Sequence, residues 1–292
     1  MALAPLLQRV LLIGGTGQLG SELRAVLADA PVTAPARSEL DVEQPARVAQ
    51  ALRDHRPTLV INTSAFHHVE TCEAQPERAF AVNALAVDRL AAASAAAGAA
   101  FATFSSDYVF DGRKRAPYAE TDATAPLNAY GASKLAGEHL TRRHGDRHFV
   151  IRTSGLYGAV VSTVKGYTFI DRILRQAAAG EPLRVVDDVV FSPSYAVDVA
   201  RAVRGLIERE AYGTYHISNA GACSWYDFAV EGLRAAGLTA PIERTSARDF
   251  ASAVRRPGYS PFAHEGIARA GLAPMPSWQA GLRDYLTVRR SD

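Results

Sequence analysis

Cysteine is scarce in this sequence of 292 residues, which contains only Cys72 and Cys223. Two cysteines are too few for a disulfide framework, and their separation matches no spacing that is typical of a zinc site. We therefore expect a chain that works in a reducing compartment, the cytoplasm. We assign no metal-ligating residues, and the use of a magnesium ion is left open.

A large net charge and long hydrophobic runs are also missing. The formal net charge is only +2, which gives no reason to expect nucleic acid or an acidic membrane surface as a partner. No continuous apolar run reaches the roughly 18 residues that a membrane span needs. The 48% hydrophobic content and the length of the chain instead predict a sizeable core, in one large or two modest domains.

A glycine-rich turn follows the first apolar run. The run 10–13 is short and continuous, as expected for a parallel strand that is covered on both faces. A G-x-x-G-x-x-G turn and a helical pattern follow it, an order that is typical of dinucleotide binding because backbone N–H groups at the helix start can meet a pyrophosphate. The predicted cofactor-binding residues of this turn are Gly14, Thr16, Gly17, Gln18, Leu19 and Gly20.

The end of the second predicted strand, 32–34, indicates which nicotinamide cofactor the chain binds. The acidic residue that usually meets a ribose 2′-hydroxyl is missing there, and Arg37 stands in its place. An arginine suits a 2′-phosphate, which favours NADPH over NADH, although a solvated arginine explains the same residue. Asp41 and Val42 follow, and we expect them to border the adenine. The third predicted strand, 58–65, should present its end to the cofactor through Ser64, Ala65 and Phe66.

Strands and helices alternate through the first half of the chain. Further strands are predicted at 100–106 and 149–153, with a long helix between about 76 and 97. This alternation predicts an α/β fold, a Rossmann-type doubly wound parallel sheet. The pattern loosens after residue 158, so we predict a dinucleotide-binding domain over 1–158 with a return segment near 185–207. Residues 159–292 then form mainly a smaller, interleaved α/β substrate-binding domain.

Tyr130 and Lys134 are four residues apart in a tract, 126–140, whose pattern indicates a helix. They would share one face of it, where the lysine ammonium should lower the pKa of the phenol. A tyrosine tuned in this way can give a proton to an oxygen that receives hydride. Ser106, at the end of a predicted strand, could hold the same oxygen. A surface tyrosine and lysine on an ordinary helix would show the same spacing.

Several motifs together resemble the dTDP-4-dehydrorhamnose reductase family of the extended short-chain dehydrogenase/reductase superfamily. They span nearly the whole chain in the order of that family: GGTGQLG at 14–20, RSELDV at 37–42, SSDYVFDG at 105–112, PLNAYGASKLAGE at 126–138, RTSGLYG at 152–158, VVDDVVFSPSYAVDVA at 185–200 and RRPGYS at 255–260. The resemblance implies reduction of the C4 keto group of a nucleotide-linked 4-keto-6-deoxyhexose by NADPH or NADH.

The resemblance also implies roles for individual residues. Ser106, Tyr130 and Lys134 would form the catalytic trio, with Tyr130 and Lys134 also contacting the cofactor. The implied substrate-binding residues are Ser106, Asp107, Tyr108, Arg255 and Arg256. For the two arginines, which would meet the diphosphate, a surface salt bridge is an equal alternative.

Three alternatives remain open at this stage. Gly155 stands where rhamnose-pathway members often have a tryptophan that contacts the substrate, so we expect a roomier sugar pocket and leave the sugar open. Another epimerase or dehydratase of the superfamily is disfavoured, because a dehydratase commonly has Asp-Glu where Asp107 and Tyr108 stand here. A non-catalytic regulatory subunit, such as the one of methionine adenosyltransferase, resembles the same family. The sequence does not settle whether the chain forms a homodimer.

Overall fold

Six short strands form one fully parallel sheet. The structure, a computed structural model, describes residues 3–160, 166–250 and 254–289. The strands are β1 (Val10–Ile13), β2 (Val32–Thr33), β3 (Leu59–Asn62), β4 (Ala100–Ser106), β5 (His148–Thr153) and β10 (Gly213–His216). They lie in the order β10-β5-β4-β3-β1-β2, and each neighbouring pair is parallel. The order reverses between β1 and β3, and ligands of such sheets bind beyond the strand ends at that point.

Helices cover both faces of this sheet. The helices that precede β5 are α1 (Gln18–Val26), α2 (Pro45–His55), α3 (Val69–Ala74), α4 (Pro76–Phe80), α5 (Ala86–Ala96) and α6 (Ala129–Arg142). Side chains of β1 alternate between two cores: Leu12 packs with residues of α1, and Leu11 packs with residues of α2 and α5. Because successive strand residues point to opposite faces, a strand covered on both faces must be apolar throughout. This arrangement confirms the predicted Rossmann-type class.

The helix before β4 has the length that the sequence predicted and contains a π-helical segment. α4, a π-helical segment Ala81–Leu85 and α5 follow one another without a break. Over Pro76–Ala96 this helix is long and apolar enough to cross a membrane by length and composition alone. The expectation concerned a continuous apolar run, and this helix does not contradict it, because Glu77, Arg78, Asp88 and Arg89 interrupt its apolar residues. Half of that window is buried within the fold, as a core helix would be.

The second half of the chain builds small sheets and a second core. Its elements are β6 (Leu156–Tyr157), α7 (Phe169–Ala178), β7 (Leu183–Val186), β8 (Val190–Phe191), β9 (Ser194–Tyr195), α8 (Ala196–Glu208), β11 (Cys223–Ser224), α9 (Trp225–Ala236), β12 (Ile242–Thr245), α10 (Glu265–Arg269) and α11 (Trp278–Arg289). The small sheets pair β6 with β9, β7 with β12 and β8 with β11. Phe228 and Tyr285 are fully buried in the core between these elements.

Two segments of the second half pack with the large sheet. Val199 and Val203 of α8 lie in the same core as Leu19 and Leu23 of α1, and β10 pairs with β5. Val185 of β7, in contrast, lies in the smaller core. The chain therefore crosses between the two cores more than once.

Candidate functional site

The glycine turn between β1 and α1 forms a tight cradle. Gly14 has φ +78°, and a Cβ there would lie 2.5 Å from Oγ1 of Thr63. A Cβ on Gly20 would lie 2.1 Å from the carbonyl oxygen of Gly14, so the helix approaches the turn as only glycine allows. α1 begins at Gln18, and no side chain caps it at Gly17. Its first N–H groups are therefore available to a phosphate, which fits the predicted pyrophosphate site. Thr16 lies in the same turn, and Leu19 lies in the first turn of α1.

Asn83 holds the loop after β3, where Ser64, Ala65 and Phe66 lie. Its side-chain oxygen accepts from the Phe66 N–H at 2.9 Å, and its Nδ2 donates to the Phe66 carbonyl at 2.8 Å and to Oγ of Ser133 at 3.0 Å. Sequence reasoning missed this residue. Its signal was an asparagine within an apolar helix, because a buried amide has to find partners.

Arg37, Asp41 and Val42 lie in the loop after β2. The Arg37 side chain is 80% exposed and comes within 3.9 Å of Glu43. Asp41 accepts the backbone N–H of Glu43 at 3.0 Å, and Val42 is buried against the sheet. The loop follows the strand next to β1, so it lies at the edge where the glycine turn lies.

The catalytic candidates come together between β4 and α6. Ser106 is the last residue of β4, and the Tyr130 phenol lies near enough to its hydroxyl for that group to lower the pKa of Tyr130. The Tyr108 and Tyr130 rings meet edge to face at 5.8 Å. A Cβ on Gly131 would lie 2.1 Å from the carbonyl oxygen of Tyr108. The glycine after Tyr130 therefore lets the helix lie close enough to bring the two hydroxyls together.

Lys134 follows Tyr130 by one helical turn and is only 5% exposed. Burial lowers its pKa from the ordinary 10.5 to about 8, against the opposing effect of Glu138. Burial also raises the pKa of Tyr130, while the hydrogen bond with Ser106 lowers it. The expectation that the lysine would bring the phenol pKa below its ordinary value was wrong, because removal of the phenol from water raises the pKa, the nearby Asp107 raises it further, and the bond with Ser106 does not offset these effects.

A buried ion pair lies one turn beyond Lys134, and sequence reasoning missed it as well. Arg152 of β5 donates to the two carboxylate oxygens of Glu138 at 2.8 and 2.7 Å, and Arg142 donates to the same carboxylate at 2.9 Å. Although burial raises the pKa of Glu138, the bonds from Arg152 lower it overall. The signal was the i, i+4 spacing of Lys134, Glu138 and Arg142 on one helix.

Asp107 and Tyr108 follow Ser106 in a 3-10 turn. Asp107 is 5% exposed, and its two oxygens accept from Ser106 at 3.0 Å and from Ser260 at 2.6 Å. The structure therefore commits this carboxylate to two serines, where the resemblance implied a sugar contact. Burial raises the pKa of Tyr108 to about 12.

The two candidate arginines differ in their surroundings. The Arg256 guanidinium pairs with Glu70 of α3 and hydrogen-bonds with Tyr108, which brings it to the catalytic edge. Arg255 is exposed, and its backbone carbonyl accepts from Nδ2 of Asn128 at 2.8 Å. Arg256 is thus the better placed of the two to meet a substrate phosphate.

The space beside Gly155 is filled. A Cβ on Gly155 would lie 2.3 Å from Cε2 of Phe191, and Gly155 has φ +51°. The Phe191 ring stacks on Trp225 with centroids 3.9 Å apart. An aromatic side chain from β8 therefore occupies the place that a side chain at position 155 would take, and the roomier sugar pocket stays a prediction. Across the described ranges, no group of three or more His, Cys, Asp or Glu side chains could hold a metal ion.

Comparison with known proteins agrees with this arrangement. The model of the family described as RmlD substrate binding domain matches residues 8–290. The chain belongs to the RmlD family. This membership confirms the resemblance that the motifs indicated.

Individual relatives match nearly the whole chain. The dTDP-4-keto-6-deoxy-D-glucose reductase of Streptomyces niveus is 34% identical and covers 97% of this chain and 98% of its own. The dTDP-4-dehydrorhamnose reductase of Escherichia coli K12 is 34% identical, with coverages of 95% and 96%. The crystal structure of dTDP-4-dehydrorhamnose reductase from Bacillus anthracis in complex with NADP superposes with a TM-score of 0.91, at 34% identity and coverages of 96% and 99%.

Proposed function

We propose that this RmlD-family chain reduces the C4 keto group of a nucleotide-linked 4-keto-6-deoxyhexose, and that dTDP-4-dehydrorhamnose is its substrate and dTDP-L-rhamnose its product. The observation that carries the proposal is the contact between the Ser106 and Tyr130 hydroxyls. This pair lies at the carboxyl edge of the sheet, where the glycine turn also lies, so a proton donor and a dinucleotide cradle share one edge. The names of the relatives support the same reaction.

Each of the three catalytic candidates would have its own role in the reaction. A bound reduced nicotinamide supplies the hydride. Tyr130, whose pKa burial raises, keeps its proton at neutral pH and gives it to the oxygen that gains negative charge at C4. The Ser106 hydroxyl stabilises charge on that oxygen. Lys134, with a pKa of about 8, is mostly charged at neutral pH and would contact the nicotinamide ribose.

We propose NADPH as the preferred cofactor. The exposed Arg37 guanidinium lies in the loop that follows β2, where the adenosine ribose of a bound dinucleotide is expected. An arginine there can pair with a 2′-phosphate in a planar fork. The NADP complex of the Bacillus anthracis relative supports this choice.

For the substrate we propose that Arg256 meets the diphosphate. In the structure Arg256 pairs with the Glu70 carboxylate. On substrate binding the diphosphate would replace that carboxylate as the partner of the guanidinium. The division into a dinucleotide domain over 1–158 and a mainly substrate-binding part over 159–292 belongs to the same proposal. The cytoplasmic location stays a prediction from the sequence, and a homodimer remains open.

Because position 155 is a glycine and not a tryptophan, we also consider a second keto sugar as a substrate. Phe191 fills the position beside it, so the wall of this region differs from one built around a tryptophan at position 155. The Streptomyces niveus relative carries the name of a dTDP-4-keto-6-deoxy-D-glucose reductase. We therefore include that keto sugar as an alternative substrate.

The test is a turnover assay with purified protein, NADPH and both dTDP-linked keto sugars, followed by the absorbance of the reduced nicotinamide. Tyr130→Phe removes only the proposed proton donor, so the rate should fall by about 100- to 10,000-fold while NADPH affinity stays within about twofold of the parent. Tyr212→Phe is a matched control, since its hydroxyl bonds Glu210 in the loop before β10, and it should keep parental activity.

Two outcomes would overturn the proposal. Equal rates for the parent and Tyr130→Phe would remove Tyr130 from the catalytic role. Tight NADPH binding without turnover of either keto sugar would favour the regulatory-subunit alternative.

A further inference from the structure

Glu70 and Arg256 form an ion pair at the catalytic edge. Glu70 lies in α3, which follows the predicted cofactor loop, and Arg256 is 186 residues further along the chain. The Arg256 guanidinium also hydrogen-bonds with Tyr108, whose ring meets the Tyr130 ring with centroids 5.8 Å apart. The Glu70 carboxylate therefore holds a guanidinium that we propose for the substrate diphosphate, close to the proposed proton donor.

The backbone on the arginine side of this pair is held in place. Val190 of β8 donates through its N–H to the Gly258 carbonyl and accepts from the Ser260 N–H, each at 2.9 Å. A Cβ on Gly112 would lie 2.7 Å from the backbone nitrogen of Gly258, so the two chain segments already lie as close as glycine allows. Any movement of Arg256 is therefore expected in its side chain.

The helix on the glutamate side is held as well. Glu73 of α3 accepts the backbone N–H of Ala129, the first residue of α6, at 2.8 Å. The two side chains of the pair are less confined, because 51% of the Glu70 side chain and 31% of the Arg256 side chain are exposed. The ion pair can therefore open by side-chain rotation, without a change in either backbone.

The charges on the two groups favour an exchange of anions. Burial raises the pKa of Glu70, but its own backbone N–H and the Arg256 guanidinium lower it overall, so the carboxylate is charged at neutral pH. An ion pair that is this exposed is weak. A diphosphate presents more negative charge and more acceptor oxygens to a guanidinium than one carboxylate does. It can therefore displace Glu70, but it has to compete with Glu70 in order to bind.

We propose that Glu70 is a positioning residue that acts through Arg256 and competes with the substrate diphosphate for the guanidinium. Before the substrate binds, Glu70 holds the guanidinium at the catalytic edge, and it returns to the guanidinium as the product leaves. Because substrate and product carry the same diphosphate, the competition lowers the affinity for both. The inference rests on the proposed function, since it takes the diphosphate of the proposed substrate as the ligand of Arg256.

Calorimetric titration with dTDP tests this competition without any need for turnover. Saturating NADPH is present, so that dTDP does not enter the dinucleotide site. Glu70→Gln keeps the size of the side chain and removes its charge, and dTDP should bind about 2- to 5-fold more tightly, the factor that corresponds to an exposed ion pair. Because the side chain is half exposed, the substitution should leave the fold intact, which urea unfolding checks.

A double-mutant cycle separates competition for Arg256 from a general effect of the lost charge. In an Arg256→Met background, Glu70→Gln should change the dTDP affinity by less than about 1.5-fold, because the guanidinium that Glu70 competes for is gone. In the turnover assay, the KM of Glu70→Gln for the keto sugar should fall by the same factor as the dissociation constant of dTDP, and kcat should not rise.

Glu208→Gln is the matched control. Glu208 is the last residue of α8 and pairs with Arg204. It precedes β10 by only a few residues, so it lies at the amino edge of the sheet, opposite the catalytic edge. The substitution removes the same charge without touching Arg256. At about 0.15 M salt a charge so far away is screened, so the dTDP affinity should stay at the parental value.

The outcomes separate the inference from the proposed function. An unchanged or weaker dTDP affinity in Glu70→Gln, or an equal gain in the Arg256→Met background, would overturn the inference, while turnover by the parent would keep the proposed function. The same holds if neither the parent nor Glu70→Gln binds dTDP. If Glu70→Gln tightens dTDP binding as expected and the parent turns over no keto sugar, the competition stands and the proposed function fails.

Discussion

Replacing Lys134 by methionine should make the protein more stable and less active. Lys134 is an ammonium in a site that is 5% exposed, and burial lowers its pKa from 10.5 to about 8. A charged group with its pKa displaced in this direction costs folding free energy at neutral pH, because it is charged in both states and better solvated in the unfolded one. Methionine has a similar length and carries no charge.

The displacement of the Lys134 pKa gives the size of the expected change in the free energy of unfolding. Moving the pKa by 2.5 units, from 10.5 to about 8, corresponds to about 3 kcal/mol at about 1.4 kcal/mol per unit. Glu138 keeps its bonds to Arg152 and Arg142, so the substitution does not leave that carboxylate unpaired. We therefore expect Lys134→Met to raise the free energy of unfolding at pH 7 by up to about 3 kcal/mol.

Urea unfolding of the parent and of Lys134→Met at several pH values measures this difference in the free energy of unfolding. Between pH 8 and 10.5 the unfolded parent holds a proton on Lys134 that the folded parent has lost, so the free energy of unfolding should rise with pH across this window. The variant should lack that rise. In the turnover assay the variant should bind NADPH more weakly and react more slowly, because it has lost the proposed ribose contact.

Lys114→Met is the control for this prediction. Lys114 pairs with Asp122, and its side chain is 37% exposed, so its removal should cost between about 0 and 1 kcal/mol. If Lys134→Met is instead less stable than the parent, or if the rise above pH 8 persists in the variant, burial of Lys134 is not the source of its displaced pKa.

Three further predictions follow from close contacts and ion pairs. Gly131→Ala should lower stability by about 1–3 kcal/mol and reduce kcat, because its Cβ would lie 2.1 Å from the Tyr108 carbonyl oxygen; unfolding and turnover measure both effects. Arg37→Asp should weaken NADPH binding by about 10-fold or more, as expected for loss of a bond between charged groups, and leave NADH binding nearly unchanged in a fluorescence titration, whereas equal losses would contradict a phosphate contact. Arg152→Met should cost about 3–5 kcal/mol by leaving Glu138 buried without its main partner, and adding Glu138→Leu should recover much of that loss in urea unfolding.

The local features of the fold could be predicted from the sequence. The apolar run that ends at Ser106 is the strand Ala100–Ser106, and the Ser224 side chain caps α9 together with Asp227 at the spacing typical of a capping box. The carboxyl ends of β1, β3 and β4 lie at one edge of the sheet, so residues predicted from three separate motifs lie at that same edge. Short-range patterns carry this information because capping and burial are set by residues a few positions apart.

The interactions that shape the site could not be predicted in this way. Ser260 and Asp107 are 153 residues apart, and no local pattern connects them. Phe191 fills the space beside Gly155 from a strand in the smaller core. The sign of the Tyr130 pKa shift depends on how deeply the phenol is buried, and burial is a property of the whole fold.

Helix α6 explains why the catalytic motif contains small residues at fixed places. On one side Gly131 touches the Tyr108 carbonyl, and on the other a Cβ at Gly137 would lie 2.3 Å from the carbonyl oxygen of Asn83. Asn83 in turn holds Phe66 in the loop after β3 through two hydrogen bonds and lies in the π-helical segment, a form that often marks functional sites. The helix that carries the proposed proton donor is therefore packed directly against the residue that holds the predicted cofactor loop. A bulkier side chain at either glycine would move the donor and the loop relative to each other, so the two halves of the site are positioned by the same contacts.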